Sequence, residues 1–148
     1  MYMRLTRFKI AATRNISLGL LGILTIFSLD SCTSKTAFLT SQVVPAARGS
    51  VKVKKDNNHN YVIQVHLQNL AEVKRLDPPK ETYVVWMTDR ETTKNIGQIK
   101  SSSNFLSKNL KASFETVSST KPLKIFITAE EDGNTQVPGL QILATNNF

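Results

Sequence analysis

Hydrophobic and polar residues alternate with a period of two along most of the chain that follows Cys32, and this pattern is typical of β-strands. The clearest run is 61–67, in which Tyr61, Ile63, Val65 and Leu67 are expected to face inward and Gln64 and His66 outward. No segment after Cys32 keeps a helical apolar period for three turns. The chain from Cys32 onward is therefore predicted to be all-β.

Turn-forming residues separate the predicted strands roughly every 8–12 residues, which is typical of an antiparallel sandwich. A connection over 55–60 joins two strands into a hairpin, and 69–80 is a polar crossing that ends in two prolines. The predicted strands are 36–44 (a first strand or a tether), 50–54, 61–67, 82–88, 95–100, 110–117, 123–129 and 140–145. Seven or eight short strands predict an immunoglobulin-like β-sandwich.

The inward positions of these strands define a predicted core. Segment 82–88 is apolar on both faces, so it is expected to be a central strand. The predicted core residues are Val51, Val53, Tyr61, Ile63, Val65, Leu67, Tyr83, Val85, Trp86, Ile99, Phe114, Leu123, Ile125, Ile127, Leu140 and Ile142.

Segment 1–31 has the order of a signal peptide. Its first part, 1–15, carries four basic side chains and no acidic one, and 16–29 form a weakly polar to apolar run. Fourteen helical residues span roughly 21 Å, which is shorter than the ~30 Å hydrocarbon core of a bilayer. A cleaved signal helix is therefore favoured over a permanent transmembrane helix.

The segment Leu29-Asp30-Ser31-Cys32 resembles a bacterial lipobox, with an aliphatic residue at −3 and a small residue at −1. The resemblance implies cleavage between Ser31 and Cys32 and a diacylglycerol thioether on Cys32, usually with an amide-linked acyl chain. The alternative is an unmodified thiol beside a signal anchor. Lipidation divides the chain into a signal peptide (1–31), a lipidated tether or first strand (32–47) and a sandwich domain (48–148). The protein is then expected in the bacterial cell envelope, in the outer membrane, at its periplasmic face or at the surface.

Charge and cysteine content narrow the classes of partner. Segment 1–31 holds four of the 19 basic side chains and one of the 11 acidic ones, so the remainder contributes +5 to the net charge of +8. This is mildly basic and gives no nucleic-acid signature by itself. The single cysteine excludes an intramolecular disulfide. The membrane is the expected partner, through acyl chains on Cys32, together with another envelope protein or a glycan.

From Arg48 onward, the order of short motifs is similar to the C-terminal, extracytoplasmic domain of anti-sigma-K-type factors. The motifs are RGSV (48–51), VHLQNL (65–70), YVVWM (83–87), IGQI (96–99), LKIFITAE (123–130) and VPG (137–139). The resemblance implies an immunoglobulin-like or similar sandwich outside the cytoplasm and, as an alternative function, an accessory regulator that senses the envelope. Regulatory members carry a cytoplasmic sigma-binding domain, for which segment 1–31 is too short.

Aromatic and basic side chains are the candidate binding groups. Tyr83 and Trp86 offer a platform on which a sugar ring could stack, or else they pack a central strand. Lys52, Lys54 and Lys55 form a basic edge that either protects the strand by solvation or contacts anionic envelope material.

The sequence offers little for metal binding or catalysis. His59 and His66 lack the further ligands of a zinc site, and Glu130-Glu131-Asp132 is a solvated turn or a weak Ca²⁺ candidate without EF-hand spacing. Nucleophile-elbow, Walker and dinucleotide motifs are absent from the sequence. We therefore expect no enzyme, no catalytic residue, no metal and no cofactor. A non-enzymatic binding or structural module is favoured, with a glycan-active enzyme as the least favoured class.

Overall fold

The computed structural model describes residues 33–99 and 111–148, which form a two-layer β-sandwich. The strands are β1 (Thr33–Ala37), β2 (Arg48–Lys55), β3 (Tyr61–Gln68), β4 (Thr82–Thr88), β5 (Thr93–Ile99), β6 (Lys111–Ser118), β7 (Lys124–Glu130) and β8 (Leu140–Ala144). A single 3-10 turn, Val73–Arg75, lies in the crossing between β3 and β4. The described residues contain no helix of the length and apolarity needed to cross a membrane.

Each layer is a four-stranded antiparallel sheet. The first sheet has the order β1-β2-β3-β6, and the second has the order β5-β4-β7-β8. The second order matches the C′-C-F-G order of an immunoglobulin variable-type sheet. In the first sheet, by contrast, β1, β2 and β3 are consecutive, and β6 returns to pair with β3. The predicted all-β antiparallel sandwich of seven or eight strands is confirmed, with eight strands among the described residues.

The period-two pattern of β3 places its side chains as predicted. Ile63, Val65 and Leu67 are buried between the sheets, and His66 is exposed on the outer face. Because β2 pairs in register with β3, Val51 lies opposite Val65 and is buried beside it. These alternating apolar residues turn one face of the first sheet toward the second.

The central strand β4 is buried on both faces, as its uniform apolar sequence predicts. Tyr83, Val85 and Met87 belong to the core between the sheets. Val84 and Trp86 point to the opposite face and form a separate buried cluster with Phe126 and Ala144. Trp86 is therefore buried but lies outside the main core. Four other predicted core residues are only partly buried: Tyr61, Phe114, Leu123 and Leu140.

Several predicted boundaries are wrong. The first strand does not run over 36–44, because β1 is Thr33–Ala37 and the chain then bends through residues 42–46 before β2. Lys55 belongs to β2, so the hairpin connection is 56–60 rather than 55–60. β5 begins at Thr93, two residues before the predicted start at 95. The predicted signal helix and the connection between the predicted strands 95–100 and 110–117 lie outside the described residues.

The connections gather at two ends of the sandwich. One end, which we call the hairpin end, contains the turns 56–60, 89–92 and 119–123. Thr33 pairs with Lys54, so β1 also begins at this end. The opposite end contains the crossing 69–81 and the loop 131–139. The chain therefore enters the sandwich beside the hairpin turns.

Candidate functional site

The outer face of the first sheet carries a cluster of exposed cations on β1 and β2. Lys35, Lys52 and Lys54 alternate with core-facing residues, and all three are exposed. We call this surface the lysine face. Arg48 and Lys111 extend the lysine face at the end far from the hairpin turns, where they lie on either side of their common register partner Gln68. The alternation that buries Val51 and Val53 thus puts the lysines together on the solvent side.

Two of these lysines directly face each other. Lys35 is the register partner of Lys52, and Thr33 is the partner of Lys54. Directly opposite side chains in an antiparallel pair have Cβ atoms about 4.5–5.5 Å apart, and diagonal ones about 7–8 Å apart. Like charges directly opposite each other destabilise a sheet. An anion held between the ammonium groups would relieve that repulsion, so the arrangement suits binding of negative charge.

The lysine face has little negative charge of its own. Next to Lys52, the neighbouring strands β3 and β6 place Gln64 and then Glu115 on this face. Gln64 Nε2 donates a 2.8 Å hydrogen bond to Glu115 Oε2. Glu115 is the one carboxylate on this face among the described residues. The ion pairs found within 33–99 and 111–148 involve other lysines, namely Lys74, Lys80 and Lys94.

The hairpin end of the lysine face is partly apolar. Val62 pairs with Lys54 on one side and with Val117 on the other, so the row reads Thr33, Lys54, Val62, Val117 across the four strands. Val117 is 58% exposed, although it is a large hydrophobic residue. Cations beside an exposed apolar side chain give this corner the composition of surfaces that meet lipid headgroups.

Only two of the three lysines of the predicted basic edge lie together. Lys52 and Lys54 share the lysine face, whereas Lys55 is on the same side of β2 as Val51 and Val53. Lys35 was not predicted, because the segment TSKTA has no apolar alternation that would mark it as a strand. Only the pairing of β1 with β2 brings Lys35 to Lys52.

The structure does not bring the predicted aromatic platform together. Tyr83 faces the inter-sheet core, where its hydroxyl donates a 2.9 Å hydrogen bond to the carbonyl of Ala71 and where burial raises its pKa to about 12. Trp86 is on the opposite face of β4; its Nε1–H donates a 2.7 Å hydrogen bond to Thr128 Oγ1, and its ring stacks on Phe126. Both aromatic residues are buried and pack the sheet.

Comparison with protein-family models, with curated proteins and with solved structures finds no match to this chain.

The remaining polar candidates lie apart from one another. His59 lies in the β2–β3 turn with φ 67°, while His66 is on the lysine face. The acidic residues of 130–132 also diverge. Glu130 accepts a hydrogen bond from the Gly139 N–H, and Glu131 pairs with Lys80 at 2.8 Å. The described part of the chain contains no group of three or more His, Cys, Asp or Glu side chains placed to hold a metal ion.

Asn95 fastens the loop 131–139 to the second sheet, a role that the sequence does not indicate. Its Nδ2 donates hydrogen bonds to the carbonyls of Gly133 and Thr135, at 2.9 and 3.0 Å. Its Oδ1 accepts a 2.9 Å bond from the Gly97 N–H. The loop leaves β7 and reaches β5, and β4 lies between these two strands. Because Asn95 pairs with Trp86 across the sheet, the loop crosses β4 on the face that carries Trp86.

Asp89 joins two turns at the hairpin end. Its Oδ1 accepts hydrogen bonds from the backbone N–H groups of Glu91 and Thr92, and its Oδ2 faces Lys94 Nζ and the Thr120 hydroxyl, each at 3.0 Å. The backbone donors, first Thr92 and then Glu91, followed by Lys94 and Thr120, hold the pKa of Asp89 well below its usual range. This carboxylate therefore stabilises the end of the sandwich at which β1 begins.

The predicted lipidation site lies outside the described residues. Ser31 and Cys32 precede Thr33, the first residue of β1. A group attached to Cys32 is therefore one residue from an edge strand of the first sheet.

Proposed function

We propose that this protein is a lipoprotein of the bacterial cell envelope, in which acyl chains on Cys32 hold a non-enzymatic binding module at a membrane. The observation that carries the proposal is the position of β1. Thr33 lies in the sheet, beside Lys54, immediately after the lipobox cysteine. Cleavage after Ser31 would therefore leave the sandwich intact and place the lipid at its hairpin end.

The energetics of anchoring are favourable. Each buried methylene contributes about 0.8 kcal/mol, and two acyl chains suffice for a stable anchor. The new N-terminus would come from an exposed strand at the edge of a sheet, so modification of Cys32 displaces no core residue. Lipidation of Cys32 is thus compatible with the fold of the residues that follow it.

Intact-mass measurement of the protein from cells grown with a labelled fatty acid tests the anchor. Wild type is expected to lose residues 1–31 and to gain the mass of its acyl groups. Cys32→Ala should stay uncut and unlabelled, because it lacks the thiol that is alkylated. Ser31→Ala, the matched control, keeps a small residue at −1 and should be processed normally. A wild-type protein without acyl mass would contradict the proposal.

The expected partner of the tethered module is another envelope protein or a glycan. Strand-connecting loops and sheet faces are the binding surfaces that such a scaffold offers. Chemical crosslinking in intact membranes, followed by mass spectrometry of the crosslinked peptides, identifies the partner and the face that it contacts. Failure to recover any reproducible crosslink across growth conditions would count against a binding role.

A further inference from the structure

We propose that the lysine face is a second membrane contact, which binds the anionic headgroups of phospholipids and lays the first sheet against the bilayer. The proposal rests on the lipid anchor proposed above and deepens it. The anchor alone fixes only the position of the N-terminus. The lysine face would determine which side of the sandwich turns toward the membrane.

The first argument is charge placement. Lys35, Lys52 and Lys54 are exposed on the same face of the first sheet, and Lys35 lies directly opposite Lys52. Phosphate groups of a lipid surface can lie between such ammonium groups and remove their mutual repulsion. A planar array of headgroups also matches the geometry of a sheet face better than a single small anion does.

The second argument is proximity to the anchor. Thr33 is in register with Lys54, and Cys32 is bonded to Thr33. Fatty acids on Cys32 would therefore bring headgroups beside Lys54 without any change of fold. A tether this short makes the headgroups the nearest anionic surface to the lysine face, which favours lipid over a glycan farther from the bilayer.

The third argument is the apolar corner. Val62 and Val117 lie in the same row as Thr33 and Lys54, and Val117 is largely exposed. An apolar side chain beside cations is suited to the boundary between headgroups and acyl chains. Of the ten carboxylates in 33–99 and 111–148, three lie in the turns of the hairpin end, and five belong to connections at the opposite end, namely Glu72, Asp77, Glu81, Glu131 and Asp132. Negative charge in the connections is thus more abundant at the end away from the anchor than at the end where β1 begins.

Acetylation of lysines on the lipidated protein in vesicles tests the orientation. The protein is reconstituted into phosphatidylcholine vesicles, with or without a minority of the anionic lipid phosphatidylglycerol, and is treated briefly with an acetylating reagent before peptide mass spectrometry. A lysine near an anionic surface gains a binding energy equivalent to about fivefold in partitioning. Lys35, Lys52 and Lys54 are therefore expected to react several-fold more slowly on the anionic vesicles. Lys74, exposed in the crossing at the opposite end, serves as the internal control.

A matched pair of variants separates charge position from total charge. Lys52→Gln/Lys54→Gln removes two charges from the lysine face, and Lys74→Gln/Arg75→Gln removes two from the crossing. Protection of Lys35 on anionic vesicles should fall to its level on neutral vesicles in the first variant and persist in the second. Salt at about 0.5 M should abolish it in wild type, because screening shortens the range of the attraction. Urea midpoints verify that both variants fold.

The outcomes distinguish the two proposals. Wild type that fails to bind neutral vesicles and carries no acyl mass overturns the anchor. Wild type that binds neutral vesicles but acetylates equally on both vesicle types overturns the headgroup contact and leaves the anchor standing. Protection of the three lysines by a soluble polyanionic glycan such as heparin, without protection by phosphatidylglycerol, would assign the face to glycan and overturn the lipid proposal.

Discussion

Gly97 of β5 lies against the ring of Phe114 of β6, so that a Cβ at position 97 would be 2.8 Å from Phe114 Cε2 and 3.0 Å from Cζ. The two residues belong to different sheets, and their contact joins the layers along the β5–β6 side. Gly97 also has φ +136°, at a bulge where Ile96 has no partner in β4. The missing side chain therefore serves both the backbone conformation and the packing between the sheets.

Replacement of Gly97 by alanine is expected to destabilise the fold by about 2–3 kcal/mol, since it combines overpacking with a backbone conformation that alanine rarely adopts. Urea unfolding, followed by the fluorescence of the single tryptophan, measures the loss. Gly133→Ala is the matched control. Its new methyl group would meet only the end of the flexible Gln98 side chain, so the change should be below about 0.5 kcal/mol.

A double-mutant cycle isolates the Phe114 contact. In a Phe114→Leu background, Gly97→Ala should cost less than it does in wild type, because the smaller side chain leaves room for the methyl group. Equal costs in the two backgrounds would show that backbone strain, and not the ring, accounts for the whole effect.

Thr128→Val is expected to cost about 1–3 kcal/mol, although valine matches threonine in shape, because the substitution leaves the buried indole N–H of Trp86 without its acceptor. In a Trp86→Phe background the same substitution should be nearly neutral, since both polar partners are then gone. Urea midpoints measured by circular dichroism give both values. A full-sized loss in the Trp86→Phe background would contradict the role assigned to this hydrogen bond.

Asn95→Asp should release the loop 131–139 from the second sheet. A carboxylate at this position turns an acceptor toward the carbonyls of Gly133 and Thr135, which now accept from the amide. We expect a stability loss of about 1–3 kcal/mol and faster amide hydrogen exchange in the loop. Asn134→Asp, which changes an exposed residue of the same loop, is the control. Unaltered exchange in Asn95→Asp would show that the loop is held by other contacts.

The depressed pKa of Asp89 predicts a loss of folding stability at low pH. Its folded pKa is depressed below the unfolded value of about 3.9, so its stabilising effect is fully present above that pH and is lost as the pH falls further. Wild type should therefore exceed Asp89→Asn in stability at pH 7, and the gap should close progressively below about pH 4. Urea midpoints at pH 7, 4 and 2.5 check this, with Glu91→Gln as a control. A gap independent of pH would exclude the charge as its cause.

The fold was predictable wherever one face of a strand is buried. In β3, for example, the apolar residues Ile63, Val65 and Leu67 alternate with more polar ones, and these three are the residues that the fold buries. The strand β1 was misplaced because its residues are mostly exposed, so backbone pairing with β2 determines it and leaves no apolar period. Phe38 and Val44 belong to the predicted first strand but are instead buried after β1 and within the following bend, respectively.

The candidate site depended on pairing that the sequence does not encode locally. Lys52 and Lys54 could be assigned to one face from their spacing, but the charge opposite Lys52 comes from Lys35, in a strand that the pattern missed. Similarly, Tyr83 and Trp86 are three residues apart, and an odd spacing in a strand puts them on opposite faces. Asn95 meets Gly133 across 38 residues, a contact that only the folded chain creates.

The start of β1 directly after Cys32 would limit the reach of a protein acylated at that cysteine. Consecutive Cα atoms are about 3.8 Å apart, so such a chain would have almost no spacer between lipid and domain. A flexible spacer of about 25 residues, by comparison, would add about 28 Å of reach. Without one, the sandwich would stay at the bilayer surface. A partner would then have to be embedded in the same membrane or come close to its surface.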